Sequence, residues 1–459
     1  MRITMYIQNR GVVRINYLVY VLIYLLFSMI SFLIRLFTYD ITGTLMFTCL
    51  AALFFLMFRD ILNAHLGHNF TLLIFVNLII RMVFVIVDEY IVNFASPFNA
   101  DSAGYKLAAE AIVTGNENEY QNFITYFAAN VVYRFWGVSP GFLRFLICFM
   151  AMLSVLILLQ ICDEARISRR ITKKMLVIFL FLPENIIINS SFLREGFITV
   201  AVIGGLAYLQ RWFKCQKMND IFYAGLLFLF ATLCHSGMIV SLLVAMFCYI
   251  TYSNGKYHFT EATLFRLLFA FGIAIVGIYF MRDALFAKFG GGMTYPDLLN
   301  RVEFLESEGG NSLYIININF GFALLNFIVN SAVRALYLYL SPMVWDIRNV
   351  SAAIMFIMDS VFYILAFILI FKKRKNILKN QKPFLVAVLL MATLGGIVFG
   401  WGTVTAGTAM RHRLGFLPII LFMAATVFDD KKQVEENFSE QEDFSQLLGQ
   451  VWSRPAEHI

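Results

Sequence analysis

Continuous apolar runs, each close to the length of a membrane-crossing helix, dominate this sequence. Tyr17–Phe37, Thr71–Val92, Gly141–Ile161 and Ala352–Phe371 are the clearest. A helix rises about 1.5 Å per residue, so about 20 apolar residues cross a hydrocarbon core roughly 30 Å thick. A helix on a soluble domain needs only one apolar stripe, whereas these runs are apolar all round. Transmembrane β-strands alternate over about ten residues, and no such alternation is seen. Composition agrees: 60% of residues are hydrophobic and 14% are charged, against about 25% charged in a soluble domain. A soluble enzyme and a disordered chain are both excluded. The expected fold is all-α, a polytopic transmembrane helical protein.

The runs predict about twelve spans. Besides the four above they are Ile41–Phe58, Met175–Ile188, Phe197–Phe213, Ile221–His235, Met238–Thr251, Leu264–Met281, Pro383–Gly400 and Leu414–Val427. The first is too long for a signal-peptide core and reads as an uncleaved span. Basic clusters at Arg166–Lys174, Arg211–Lys217 and Lys372–Lys382 then share one side with both termini, and the positive-inside rule makes that side cytoplasmic. Residues 1–428 read as a single integral membrane domain and 429–459 as a polar cytoplasmic tail. Outward segments 93–138 and 282–350 hold helices that lie at the interface or dip in and out. Trp136, Trp345 and Trp401 fall where an outer aromatic belt would sit. An integral plasma (inner) membrane location follows. The net charge of +7 is thus mainly a topology signal and implies no nucleic-acid partner.

Basic residues outside the cytoplasmic segments are almost all arginine, with Lys106 and Lys288 the exceptions. Lysine marks orientation as well as arginine does, so topology does not explain the bias. The planar guanidinium binds phosphate through paired hydrogen bonds, which suits an outward phosphate or pyrophosphate site. The plainer alternative is arginine snorkelling to lipid headgroups. Arg81 lies mid-span, where an unpartnered charge is costly. Asp88, seven residues on, shares its helical face, and an ion pair with another span is the structural alternative.

Five outward constellations carry possible chemistry. In 98–115, Asp101 and Tyr105 share a helical face, and Gly115 reads as the stop signal. Asp101 suits either a helix N-cap, the favoured reading by residue type, or a general base. In 182–197, Pro183 breaks a span and Asn185, Asn189, Ser190, Ser191, Arg194 and Glu195 cluster after it. Broken polar helix ends survive at depth only when buried in protein or lining a cavity. His235 ends a span, where a lone histidine is as readily structural as catalytic. In 402–418, Arg411 and Arg413 would be about 200° apart on a helix, so one must face elsewhere. Pro342, Trp345, Asp346 and Arg348 form the last group. The six cysteines, Cys49 among them, lie in apolar runs or at their basic ends without metal-type spacing, so no metal is expected. No phosphate-binding loop, dinucleotide fingerprint or HExxH occurs.

The order of these residues resembles bacterial polytopic glycosyltransferases and polysaccharide repeat-unit polymerases of the Wzy and EpsG kind, related to GT-C membrane glycosyltransferases. The residues are Asp101 and Tyr105; Pro183, Ser191, Leu193, Arg194 and Glu195; His235 and Ser236; Pro342 and Trp345; and Gly407, Thr408, Arg411, His412 and Arg413. The resemblance covers most of 75–428. It implies a GT-C-like fold and polyprenyl-phosphate or polyprenyl-pyrophosphate donors on the outer face. It implies Asp101 as the outward acid and assembly proteins as neighbours. On it, Asp101 and His235 are the catalytic candidates. Tyr105, Asn189, Ser191, Arg194, Glu195, Arg411 and Arg413 are the substrate-binding ones. No cofactor is expected, though a divalent cation on the phosphate is compatible. A single-sugar transferase and a lipid-linked oligosaccharide flippase are the competing expectations.

Overall fold

The structure is a computed structural model. It describes residues 62–91, 96–116, 122–268, 295–308, 313–374 and 382–428, apart from positions 64, 315, 317 and 349, together with Arg59 and Gly272. The expected spans Tyr17–Phe37 and Ile41–Phe58, most of Leu264–Met281, and the tail from Asp429 lie outside the described residues.

The described chain is helical apart from one short hairpin. The helices are α1 (His68–Tyr90), α2 (Ser96–Thr114), α3 (Phe123–Tyr133), α4 (Pro140–Glu164), α5 (Arg169–Phe181), α6 (Pro183–Ile188), α7 (Glu195–Cys215), α8 (Met218–Cys234) and α9 (Ile239–Thr251). The hairpin strands β1 (Tyr252–Ser253) and β2 (Lys256–Tyr257) pair antiparallel. Then come α10 (Tyr295–Glu308), α11 (Ala323–Leu340), α12 (Ala352–Lys372), α13 (Lys382–Trp401), α14 (Ala406–Leu414) and α15 (Leu417–Phe428). Among the described residues, six helices are long and apolar enough to cross a membrane, or seven if the bent pair α14–α15 is one span. An all-α, polytopic membrane protein accounts for them.

Helix α7 is the most deeply buried of the six and packs between α4 and α8. Small residues allow this. A Cβ on Gly205 would lie 2.4 Å from the Phe228 ring of α8, so only glycine admits that contact. The outward faces of α8 and α12 stay apolar and exposed, as at Phe222, Leu226, Leu233, Ile357 and Leu365. Lipid-facing helices look like this because hydrocarbon, unlike water, exacts no cost for them.

The described helix ends next to the basic clusters meet at one end of the bundle. Lys214 Nζ donates to Glu164 O, joining the ends of α4 and α7. Tyr252 donates to Phe213 O at 3.4 Å and Tyr257 to Pro383 O at 2.7 Å, bringing the hairpin and the start of α13 to the same end.

Helix α11 passes the length and hydropathy test for a span, and its far end lies level with the middle of α13. It runs antiparallel to α13: Trp401 Nε1 donates to Ser331 Oγ (2.8 Å), Gly400 abuts the Arg334 backbone, and Tyr339 donates to Ala392 O (2.5 Å). Ala392 lies mid-way along α13. Just past the helix end, Ser341 O accepts from Ser360 Oγ (2.8 Å), mid-way along α12. The chain then returns to the start of α12.

Two expectations are corrected. Trp401 is buried and stacks on Phe327 with ring centroids 5.9 Å apart, so it is a core residue and no part of an aromatic belt. Asp101 lies inside α2, which begins at Ser96, so it caps nothing. Gly115 does follow the last helical residue, with φ 79°.

Candidate functional site

The break at Pro183 organises the polar interior. Proline has no N–H, so Phe179 O loses its helical donor. The Asn185 side-chain amide replaces it. Glu184 N–H turns away to Asp359 Oδ1 (3.2 Å), which frees Leu180 O as well. Asn77 Nδ2 (2.8 Å) and Arg81 Nη2 (3.2 Å) satisfy that carbonyl, and Arg81 Nη1 reaches Asn185 O (2.8 Å). Arg81 therefore serves a broken helix. Asp88, on the same helical face, pairs with Arg144 of α4 at 2.8 Å.

Below the break is a sealed ionic cluster. Arg413 contacts Glu184 Oε2 through Nε (2.7 Å) and Nη2 (2.6 Å), and both side chains are fully buried. Arg413 Nη1 also donates to Tyr339 O (3.0 Å) and Ser341 O, the carbonyls at the far end of α11. Its guanidinium lies 4.5 Å over the Tyr363 ring, and the Tyr363 hydroxyl donates to Glu184 Oε1. One arginine of α14 thus ties the Glu184 side chain, beside the break, to the open end of α11. The fork geometry that suggests phosphate also suits converging carbonyls. Much of the arginine bias is therefore spent inside the protein.

A second network joins the other ends of the helices. Arg144 on α4 pairs with Asp88 (2.8 Å) and Glu89 (2.9 Å) on α1 and donates to Ser190 O (2.8 Å). Glu89 also accepts from Lys106 of α2 (2.6 Å). These groups fix α2 against the bundle, as does the Ser102 hydroxyl, which accepts from Phe192 N (3.1 Å).

Helix α2 then presents Asp101 to Arg411 of α14, Nη1 to Oδ2 2.6 Å. Arg411 Nη2 reaches Glu195 Oε1 at 3.1 Å, and Arg194 Nε stands 4.0 Å from the same oxygen. Asp101, Arg194, Glu195 and Arg411, far apart in sequence, form one cluster with Tyr105 in electrostatic reach. Burial holds the Tyr105 hydroxyl above its ordinary range, with Arg194 opposing, so it stays a neutral donor. Three atoms here, Arg194 Nε, Glu195 Oε2 and Arg411 Nε, are buried without a hydrogen-bond partner. Native proteins leave few such groups, and their clustering marks a place suited to a polar ligand.

The two histidines His235 and His412 meet each other. His235 Nδ1 accepts from Gly237 N (3.1 Å), so in the neutral ring Nε2 carries the proton and His235 is a donor. Its ring lies 5.1 Å from that of His412, edge to face, with Phe399 against both. Thr403 gives its one proton to Phe399 O (2.7 Å), so it accepts from His412 Nδ1 (3.0 Å).

The remaining sequence candidates lie elsewhere. Asn189 donates to Asn185 Oδ1 (2.5 Å) and Ser191 to Ile187 O (2.8 Å), both within the break. Arg413 belongs to the sealed cluster. Glu184, Asp359, Tyr363 and His412 were not among the candidates. Asp359 had a usable signal, a lone acid inside an apolar run. Glu184 had a weaker one, its place beside Pro183. No group of three His, Cys, Asp or Glu side chains suited to a metal ion occurs among the described residues.

No protein-family model, curated protein or solved structure matches the chain.

Proposed function

We propose that this chain is a glycosyltransferase of the bacterial plasma membrane, with a GT-C-like arrangement of about twelve spans and both termini in the cytoplasm. It acts at the outer face on polyprenyl-(pyro)phosphate-linked sugars, and its product is a polymer of capsule or exopolysaccharide repeat units. One observation carries this reading. Two guanidinium groups with buried, unpartnered nitrogens, Arg194 and Arg411, meet two carboxylates at the end of the bundle away from the basic clusters. Phosphate is the ligand that arginine pairs fit best. A carboxylate within reach supplies a base or an orienting group for an acceptor hydroxyl. Arg194 and Arg411 hold the donor phosphate and stabilise its departing charge. A divalent cation on that phosphate is compatible with the site. Two lipid-tethered substrates held in one plane gain further rate from proximity.

Cells in which Arg194→Ala or Asp101→Asn replaces the native chain should lose long glycan while single lipid-linked units persist. Full-length glycan from either variant would remove the assigned roles. Loss of one side-chain sugar with chain length intact would turn the reading to a single-sugar transferase.

The sealed cluster favours a second reading. Transporters bind substrate near mid-depth between discontinuous helices, and here the break beside Glu184 and the open end of α11 meet at Arg413. A flippase fits this, though Arg413 and Glu184 are closed on every side. On deletion, a flippase should trap lipid-linked units on the cytoplasmic side, whereas a polymerase should leave them outside.

A further inference from the structure

Asp101 occupies the Arg411 fork edge that a phosphate oxygen needs. Nη1 is bound to Asp101 at 2.6 Å and Nη2 to Glu195 at 3.1 Å, so both terminal nitrogens face carboxylates. The two acids differ in freedom. The Asp101 side chain is 36% exposed, while that of Glu195 is 3% exposed and packed beside Arg194.

Charge makes the difference matter. Two guanidinium groups and two carboxylates leave the cluster neutral. An anion entering with both carboxylates in place would add uncompensated charge to a poorly hydrated site. With Asp101 turned out to solvent, Arg194, Arg411 and Glu195 carry one net positive charge, which offsets one negative charge of the donor's phosphate or diphosphate. Only Asp101 can leave cheaply, because its side chain already borders solvent. Ser102 and Lys106 hold α2 in place, so a side-chain rotation suffices.

We propose that Asp101 is a displaceable counter-ion: it holds Arg411 in the resting state, and a phosphoryl group of the donor exchanges with it. The exchange has a catalytic consequence. While Oδ2 of Asp101 is held by Arg411 it is not free to accept from an acceptor hydroxyl, and release frees it. Asp101 thus becomes competent to orient or deprotonate an acceptor only after donor binding. Donor-first order, and protection of the donor from premature attack, follow from one ion pair.

This inference rests on the proposed function, because it takes the ligand as phosphoryl. The test is binding of farnesyl diphosphate to the full chain in detergent, by calorimetry, for the wild type, Asp101→Asn, Arg194→Gln and Arg411→Gln. Removing the competing charge should tighten binding to Asp101→Asn by about fivefold, the scale of a half-exposed ion pair. Both arginine variants should bind at least tenfold more weakly. Thermal unfolding without ligand reports whether each variant is folded, and Asp101→Ser provides a second uncharged side chain. Binding that depends on the arginines but is unchanged or weaker in both folded Asp101 variants would overturn the exchange and leave the function standing. No arginine-dependent binding in any form would remove both.

Discussion

Arg411 and Arg413, two residues apart on α14, serve separate clusters. Arg411 reaches Asp101 and Glu195 at the partly open end of the bundle, and Arg413 is locked onto fully buried Glu184. Helical geometry forces the split, since alternate positions on a helix point to nearly opposite sides. One short helix therefore joins a candidate binding site to the polar core beneath it.

The Arg413–Glu184 pair predicts a large, non-additive loss. Arg413→Leu or Glu184→Gln alone should each destabilise the protein by about 3–5 kcal/mol, because the partner is left buried and uncompensated. Arg413→Leu with Glu184→Gln should cost less than the sum of the singles. Denaturant unfolding in detergent measures this, and strict additivity would argue against a coupled pair.

Packing between α7 and α8 predicts a sharp contrast between two glycines. Gly205→Ala would press a methyl against Phe228, costing about 1–3 kcal/mol. Gly225→Ala, on α8, meets nothing within 4 Å and should be neutral or slightly stabilising. Thermal midpoints of the two variants decide it; equal shifts would show that the contact at Gly205 is not tight.

A dipping path for α11 predicts sidedness. In a Cys215→Ser background, cysteines at Asn319 and Arg348, before and after the dip, should label from the same side of the membrane. A cysteine at Arg374 should label from the other. All three positions are exposed. A spanning α11 would instead separate 319 from 348.

His65 predicts a pH-dependent contact. Its hydrogen bond to Asp163 (2.9 Å) raises its pKa above the usual 6.5, with burial opposing. A group with a raised folded pKa binds its proton more tightly in the native state. Its stabilisation is complete below about pH 6.5 and fades as pH rises through the higher folded value. Unfolding measured from pH 6 to 9 should lose this small increment in the wild type. Asp163→Asn should remove that part of the slope, and an unchanged slope would refute the assignment.

The helices were legible because burial in lipid demands long uninterrupted apolar runs, and α4, α7 and α13 sit close to where those runs lie. The break at Pro183 was legible too, since a missing N–H acts locally. Asp101 with Arg411, and Arg194 with Glu195, were readable as polar groups near helix ends. Their meeting was not, because it depends on how α2, α7 and α14 pack.

By itself the sequence determined a helical membrane protein, the gathering of its basic charge, and which residues had to find polar partners. Only tertiary structure decided which partners they found. Arg81 turned to carbonyls left by a break more than 90 residues away in sequence, and Arg413 to Glu184. It also set the end of α11 level with the middle of α13. The physical reason is common to these cases. Apolar periodicity is a property of one segment, whereas satisfying a buried donor or charge requires groups from several segments, and no single segment encodes where the others will be.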